Sequence, residues 1–480
     1  MDMRKLFLAT ALVLAWNAAD AKLALRYPTG DRMVLQQRTE AAVWGYAAPG
    51  ARISVTTSWD GAAYTVKTGK DGRWKAMVST PEASYQKQEI RVSGDGGEIV
   101  IKDVLVGEVW LASGQSNMEM PVKGWPHCPV EHSADVITRA PARDRVRMLY
   151  AYKDQADEPL EEIRNTSGWE CADPVSVPNM SAVAYFFACK LNQVLDIPVG
   201  IVAFPRGGAR VESWLPRETV AGYGEDLSPE AVAARTEYTR AFQMYNAMQV
   251  PLQGYSAKGF IWYQGCSNVG THDTFVARMT DLVDQWRADW GDTEARMPFY
   301  MVEIAPYLYS EDGDSGALLR QAQHEAARSI PNAAIVCTND LVEDYEAGNI
   351  HPSRKEPVGD RLAYLALNRD YGYGQLACYS PEAVGASVRE TADGREVVVT
   401  FAHCYGLDRT EQVRGLEVCG ADGNWVPVTR IRTEGNDWLV IRCEEAPAGV
   451  RYGWGDFKPG NLHGADGLPV VPFRFDLSAM

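Results

Sequence analysis

From residue 22 to about 104 the chain alternates apolar and polar positions in short runs, as in Ala42-Val43-Trp44-Gly45 and Ile53-Ser54-Val55-Thr56, with turn residues such as Ala48-Pro49-Gly50 between them. Alternation of period two turns one side of each run toward a core and the other toward water, so this stretch predicts a small antiparallel β-domain. Asp71-Gly72, between Tyr64-Thr65-Val66 and Trp74, predicts a hairpin turn. From about 105 to 372 the pattern changes. Short apolar runs now alternate with longer stretches of helical period, which predicts an α/β sheet with helices on its faces. Strands are predicted over 104–112, 199–204, 260–264, 299–304 and 333–337, and helices over 181–195, 274–290, 318–329 and 356–367. The 274–290 stretch is the clearest, because Phe275, Met279, Leu282, Val283, Trp286 and Trp290 fall on one face and read as core. From 373 to 480 alternation returns, as in Glu396-Val397-Val398-Val399-Thr400-Phe401, and predicts a second β-domain. The division into 22–104, 105–372 and 373–480 suits a chain of 480 residues, which is too long for one ordinary core.

The first residues stand apart from this pattern. Arg4 and Lys5 precede an apolar run over 6–16, and Ala19-Asp20-Ala21 follows as a small-x-small cleavage site. This is the plan of an export signal over 1–21, with a mature chain from Lys22 that is secreted or periplasmic. The run is well short of the ~20 apolar residues that span a bilayer, and no other segment approaches that length. The formal charge of −16 repels phosphate backbones and anionic lipid, which argues against nucleic acid and membrane surfaces as partners. The nine cysteines show no CxxC spacing, so a zinc knuckle or a thioredoxin motif is not indicated. His324-Glu325-Ala326-Ala327-Arg328 begins like a zinc protease helix but ends in Arg, and no phosphate-binding or dinucleotide loop is found. Neither a metal nor a cofactor is expected.

Chemistry enters where a predicted strand runs straight into Ser113-Gly114-Gln115-Ser116-Asn117-Met118. That places a hydroxyl at the carboxyl end of a sheet strand, where open α/β sheets build their sites. It is not the nucleophile elbow of the α/β-hydrolases, because Met118 stands where G-x-S-x-G needs glycine. A serine hydroxyl needs a base, usually histidine. Of the seven histidines, His351 in Gly348-Asn349-Ile350-His351-Pro352 has the suitable setting, a loop just before the last helix of the α/β region. Donors for an oxyanion are offered by Phe204-Pro205-Arg206-Gly207-Gly208-Ala209 and by Trp262-Tyr263-Gln264-Gly265-Cys266-Ser267-Asn268, each following a strand. Taken singly, each of these segments also has the composition of an ordinary turn, and a lone histidine that of a structural one.

Together the four segments resemble the SGNH hydrolases, whose Ser, Gly, Asn and His blocks occur in this order. The sequence is most similar to the sialate O-acetylesterase branch. That resemblance is carried by Gly107-Glu108-Val109-Trp110 leading into Ser113-Gly114-Gln115-Ser116-Asn117-Met118-Glu119, by Ser181-Ala182-Val183-Ala184-Tyr185-Phe186-Phe187, by Tyr245-Asn246-Ala247-Met248 and by Trp262-Tyr263-Gln264-Gly265. Asp31-Arg32-Met33-Val34-Leu35-Gln36-Gln37 and Gly455-Asp456 through Gly460-Asn461-Leu462 extend it to both flanks. The resemblance implies an SGNH-type, flavodoxin-like three-layer α/β catalytic domain flanked by β-sandwich-like domains. It implies metal-free hydrolysis of acetyl esters on carbohydrate, with Ser116 as nucleophile and His351 as base. The oxyanion would be held by the Ser116 N–H, the Gly208 N–H and the Asn268 side chain.

Two positions depart from the family pattern. The superfamily carries Asp three residues before its histidine, where Gly348 stands, and close relatives often carry it two before, where Asn349 stands. Many relatives also read Gln-Gly-Glu where this chain has Cys266. Three readings of the orienting group follow: Asp340, Asp344 or Glu346 supplies the acid, His351 is held by backbone carbonyls in a dyad, or turnover is weakened. The substrate is correspondingly an acetylated sialic acid, or alternatively an acetylated hemicellulose such as xylan. A carbohydrate-binding protein that kept the fold and lost turnover is the reading from another class.

Overall fold

The computed structural model describes residues 22–140, 145–392, 394–408 and 412–478. The export segment read over 1–21 lies outside the described residues.

The centre of the molecule is a sheet of seven strands: β1 (Gly97–Gly114), β2 (Val146–Ala151), β3 (Thr166–Cys171), β4 (Val199–Ala203), β5 (Gly259–Tyr263), β6 (Phe299–Val302) and β7 (Ala333–Val336). They lie in the order β3-β2-β4-β1-β5-β6-β7. Only the edge strand β3 is antiparallel to its neighbour. Strands β4-β1-β5-β6-β7 lie in the flavodoxin order 2-1-3-4-5, with β2 and β3 added beyond β4. Here β4 lies between β1 and β2, and β2 with its antiparallel partner β3 forms the outer edge. Strands β2 and β3 do not stand out in the sequence pattern, because Arg147 interrupts the apolar run of β2. The structure buries that guanidinium, which donates to the Arg32 carbonyl (2.9 Å) and to the Asp103 carboxylate (2.9 Å).

Residues alternate across the sheet, and both sides are covered, as parallel strands require. Trp110, Ala112, Ile201, Ile261, Tyr263 and Tyr300 share one core with helices α1 (Ala182–Leu195) and α4 (Glu356–Asp370). Val109, Leu111, Val202, Phe260, Trp262 and Met301 share the other with α2 (His272–Asp289) and α3 (Ser315–Ser329). Trp286 of α2 meets Trp262 edge to face at 5.4 Å. Each such fully buried large side chain contributes about 1.5–3 kcal/mol relative to exposure. Ser181 caps α1, its Oγ accepting from the Ala184 N–H at 3.3 Å.

The amino-terminal strands form two layers, one of Ala24–Leu25, Glu40–Tyr46 and Arg73–Ser79, the other of Arg52–Thr57, Ala63–Lys67 and Ser84–Gly94 with the start of β1. Strand β1 therefore runs unbroken through residues 104 and 105. The core also continues across that point: Val43, Ile53 and Ile90 belong to the cluster that contains Leu111 and Trp262. Asp71-Gly72 does turn the chain, with Gly72 at φ +78°, but it does not close a two-stranded ladder. Ala63–Lys67 pairs with Arg52–Thr57 and Arg73–Ser79 pairs with Glu40–Tyr46, so the turn carries the chain from one layer to the other.

The carboxy-terminal region is two four-stranded sheets sharing one core. Val397, Val399, Phe401, Leu439 and Ile441 come from one sheet, and Leu416, Val450, Tyr452 and Phe473 from the other. Asp456 ties this region to the central layers. Its carboxylate accepts from the Ser310 N–H (3.0 Å), the Ser310 hydroxyl (3.1 Å) and the Gly316 N–H in the first turn of α3 (2.7 Å). A carboxylate there is also favoured by the positive end of the helix dipole. The nine cysteines form no disulfide, and no helix of the described residues is long and apolar enough to cross a membrane.

Candidate active site

At the carboxyl end of the sheet, β1 delivers the chain into a four-residue helical turn, Ser116–Glu119. Gly114 makes that exit possible. It lies at φ +133°, and a Cβ there would stand 2.2 Å from the Tyr263 carbonyl oxygen of the adjacent β5. The Gln115 side-chain oxygen then accepts from the Gly265 N–H at 2.8 Å, and the Gln115 backbone N–H donates to the Tyr263 carbonyl at 2.8 Å. The Ser116 hydroxyl is thus presented, half-buried, on a rigid turn bonded to the neighbouring strand end. Its amide opens the turn, where an N–H has no intrahelical acceptor.

His351 arrives from the loop between β7 and α4. Its Nε2 lies 2.8 Å from the Ser116 Oγ, across 235 positions of sequence. The loop is held by its backbone. The Asn349 Oδ1 accepts from the His351 N–H (3.0 Å), the Asn349 Nδ2 donates to the His351 carbonyl (2.9 Å), and the Asn117 Nδ2 donates to the Ile350 carbonyl (3.0 Å). Asn349 therefore shapes the main chain and does not bond the ring.

The glycine segment after β4 closes on the same point. A Cβ on Gly207 would lie 3.4 Å from that of Ser116, and Gly208 sits at φ +76° with the half-exposed Tyr238 ring filling the space where its own Cβ would be. The Gly207 N–H donates to the Glu119 carboxylate, and burial pushes that carboxyl up from its ordinary value. Asn268, buried in the turn after β5, is joined to this segment. Its Oδ1 accepts from the Val211 N–H (3.1 Å) and the Gln264 Nε2 (2.7 Å), and its Nδ2 donates to the buried Glu212 carboxylate (3.2 Å). With the oxygen engaged by two donors, the amide orientation is fixed, and the NH2 keeps a second hydrogen beyond the one given to Glu212. Ser267 completes the seam by donating to the Gly208 carbonyl at 2.8 Å.

The three carboxylates read as possible orienting acids lie elsewhere. Asp340 takes both Arg361 nitrogens at 2.8 and 2.6 Å and the His463 Nε2 at 3.2 Å, and lies part-buried in the junction with the carboxy-terminal region. Burial raises its carboxyl, but the bonds from His463 and Arg361 more than offset this and hold it well below the usual carboxylate range. Glu346 is buried and accepts from the Glu343 and Ser353 N–H groups at 3.1 and 2.9 Å, so it braces the loop. Asp344 is on the surface, 3.7 Å from Arg414. None of the three bonds the His351 ring.

What does surround the ring was not singled out by sequence. The Nδ1 faces the Cys128 Sγ at 3.9 Å, and the Trp125 ring stands edge-on to the imidazole at 5.1 Å. Lys355, 1% exposed, sits at the start of α4 with its Nζ 2.5 Å from the Asn117 Oδ1. Burial pulls this lysine down to about 7. Burial, helped by the Lys355 charge, pulls His351 down to about 4. The imidazole is consequently neutral at ordinary pH, the form that accepts a proton. Among the described residues no group of three or more His, Cys, Asp or Glu is placed to hold a metal ion. A hydroxyl bonded to a neutral imidazole, beside amide donors, has the composition of an acyl-transfer site.

Comparison with known proteins gives this geometry its context. A family model described as carbohydrate esterase, sialic acid-specific acetylesterase, matches residues 106–368, which include all four segments of the site. The sialate O-acetylesterase of Mus musculus is 25% identical, over 97% of this chain and 97% of that protein. That of Homo sapiens is 25% identical, over 96% and 94%. The crystal structure of a carbohydrate acetylesterase from Xanthomonas citri is similar at a TM-score of 0.82, with 31% identity, and covers 95% of this chain and 100% of that one. By this match across the sheet, the site and nearly the full length, the chain belongs to the sialic acid-specific acetylesterase family of carbohydrate esterases.

Proposed function

We propose that the protein removes acetyl groups from sugar hydroxyls through an acetyl-enzyme on Ser116. The observation that carries the reading is the 2.8 Å contact between the Ser116 Oγ and the His351 Nε2 at the carboxyl end of the sheet, in a chain of this family. The Oγ attacks the acetyl carbonyl while the Nε2 takes its proton. The oxyanion that forms is met by the Ser116 and Gly208 N–H groups and the Asn268 amide, donors each worth about 10²–10³ in turnover at comparable sites. Collapse expels the sugar oxygen, which His351 protonates, and leaves acetyl on Ser116. Water then attacks this ester as His351 takes a proton again, and acetate departs as the hydroxyl of Ser116 is restored.

The preferred substrate is an O-acetylated sialic acid, as the names of the family and of its mammalian members suggest. The Xanthomonas citri enzyme, which has a higher identity than the mammalian relatives, is named a carbohydrate acetylesterase, without sialate in its name. A neutral acetylated hemicellulose is therefore the second reading. Acetate release from O-acetylated sialoglycan and from acetylated xylan, measured side by side, separates them. Faster release per active site from the sialoglycan is expected; faster release from xylan transfers the assignment, and sugar binding with no release from either leaves only a binding protein.

The reading includes export. Arg4, Lys5, the apolar run over 6–16 and Ala19-Asp20-Ala21 support it. Amino-terminal sequencing of the protein recovered from periplasm or medium should begin at Lys22. Recovery in the cytoplasm with residues 1–21 intact would contradict it.

A further inference from the structure

Among the described residues no carboxylate stands at the Nδ1 of His351, yet a base in this position needs one tautomer. To accept the Ser116 proton at Nε2, the ring must carry its own proton on Nδ1, and something must hold it there. We propose that Cys128 is the positioning residue of His351, its sulfur accepting the Nδ1–H in the place where an orienting acid would stand. The inference rests on the Ser116–His351 reading above.

Three observations carry it. The Cys128 Sγ lies 3.9 Å from Nδ1, while the other ring nitrogen is taken by Ser116. The thiol hydrogen is directed elsewhere, because the Cys128 Sγ donates to the Asn349 Oδ1 at 3.4 Å. A sulfur whose hydrogen is so engaged turns lone pairs, not a proton, toward the imidazole. A chain Nδ1–H to Sγ–H to Asn349 Oδ1 results, and it selects the tautomer in which the Nε2 facing the serine carries no hydrogen. Finally, the thiol is not on a loose segment. Trp125 and Cys128 exchange backbone bonds, the Trp125 N–H donating to the Cys128 carbonyl (2.9 Å) and the Cys128 N–H to the Trp125 carbonyl (3.0 Å). The Glu131 N–H then donates to the Ser353 carbonyl of the His351 loop at 3.0 Å. The same arrangement gives Asn349 a purpose that an aspartate would disturb, since its oxygen accepts both the thiol hydrogen and the His351 N–H while its Nδ2, which a carboxylate lacks, donates to the His351 carbonyl.

Sulfur is a weak acceptor without formal charge, so it orients the ring while doing little to stabilise the imidazolium. The ionisable group that acts on the ring is Lys355 at the start of α4, with Cys266 and Glu346 beyond it, while Glu119 is turned toward Gly207. None of them replaces the missing charge at Nδ1.

The test uses the full chain and p-nitrophenyl acetate, with kcat, KM and the pH profile measured for Cys128→Ala, Cys128→Ser and Cys128→Asp, and thermal melting as the check on folding. Cys128→Ala is expected to lower kcat about tenfold with KM unchanged, the low end of what losing an orienting partner costs. Cys128→Ser, which keeps an acceptor and a hydrogen for Asn349, should recover most of that loss. Cys128→Asp should move the acidic limb of kcat/KM upward by about one pH unit or more, because a carboxylate at Nδ1 favours the imidazolium. That shift reports that position 128 faces Nδ1; the loss of kcat in Cys128→Ala and its recovery in Cys128→Ser, at unchanged KM and melting, report the part played by the thiol. Wild-type kcat in Cys128→Ala, or an unmoved limb in Cys128→Asp, in proteins that melt as the wild type does, overturns the inference. Should Ser116→Ala remain active, the underlying reading fails as well; a dead Ser116→Ala beside indifferent Cys128 variants removes this inference alone.

Discussion

Replacing Ser116 with alanine is expected to lower kcat/KM on p-nitrophenyl acetate by about 10⁴-fold or more, the scale seen when a serine hydrolase loses its nucleophile. The substitution deletes one oxygen at a half-buried position and leaves the turn intact. The Gln115 bonds to Gly265 and Tyr263 and the Asn117 bond to Ile350 do not involve the hydroxyl. The fold and sugar affinity should therefore persist, and titration of the variant with a non-hydrolysed sugar separates chemistry from binding. Residual activity within about tenfold of wild type would mean that another group attacks. The thiols of Cys128 and Cys266 are the neighbours to examine, although burial pushes Cys266 up and makes its thiolate scarce.

The second large effect belongs to His351. On an acetylated sugar, His351→Ala removes both the base that activates Ser116 and the acid that protonates the departing alcohol, and a loss of about 10⁴-fold in kcat is expected. On p-nitrophenyl acetate the loss should be smaller, since that leaving group departs without a proton. Equal losses on the two substrates would contradict the second role. The wild-type pH profile follows from the same residue. Burial, and then the Lys355 charge, pull His351 from its ordinary 6.5 to about 4. The neutral base is therefore present above that value, and kcat/KM should stay level down to about pH 4 and fall as the pH drops through it. Lys355→Met, which keeps the buried stem and removes the charge, should move the limb upward. A wild-type limb near 6.5 would show that the ring is not buried as described.

Much of this was legible before any coordinates. Helices α1, α2, α3 and α4 follow from their periodic apolar faces, and Ser116 and His351 from two local settings: a strand ending in a small polar turn, and a loop before a helix. Most of the missing parts share one cause, which is distance along the chain. Strand β2 is obscured by Arg147, whose partners at 32 and 103 belong to a distant segment. Asp71-Gly72 has hairpin composition, but the register of its flanking strands is decided by the two layers they join. The carboxylates read as orienting acids are drawn away, Asp340 by Arg361 and His463 and Glu346 by the main chain of its own loop. Cys128, which meets the ring, is 223 positions away and carries no local pattern to mark it. Lys355 is close to His351 in sequence, yet its burial, which matters for the base, is a property of packing.

The central claim is that acetyl passes through the hydroxyl of Ser116. It is tested most directly by mixing the wild-type protein with p-nitrophenyl acetate, quenching in acid during the first turnover, and locating the acetyl group by peptide mass spectrometry. The expected result is an acetyl on the peptide at Ser116, formed with a burst of p-nitrophenol and gone after the substrate is exhausted. Turnover with acetyl found instead on Cys128 or Cys266, or with no acetyl-enzyme at any quench time and Ser116→Ala still active, would contradict it.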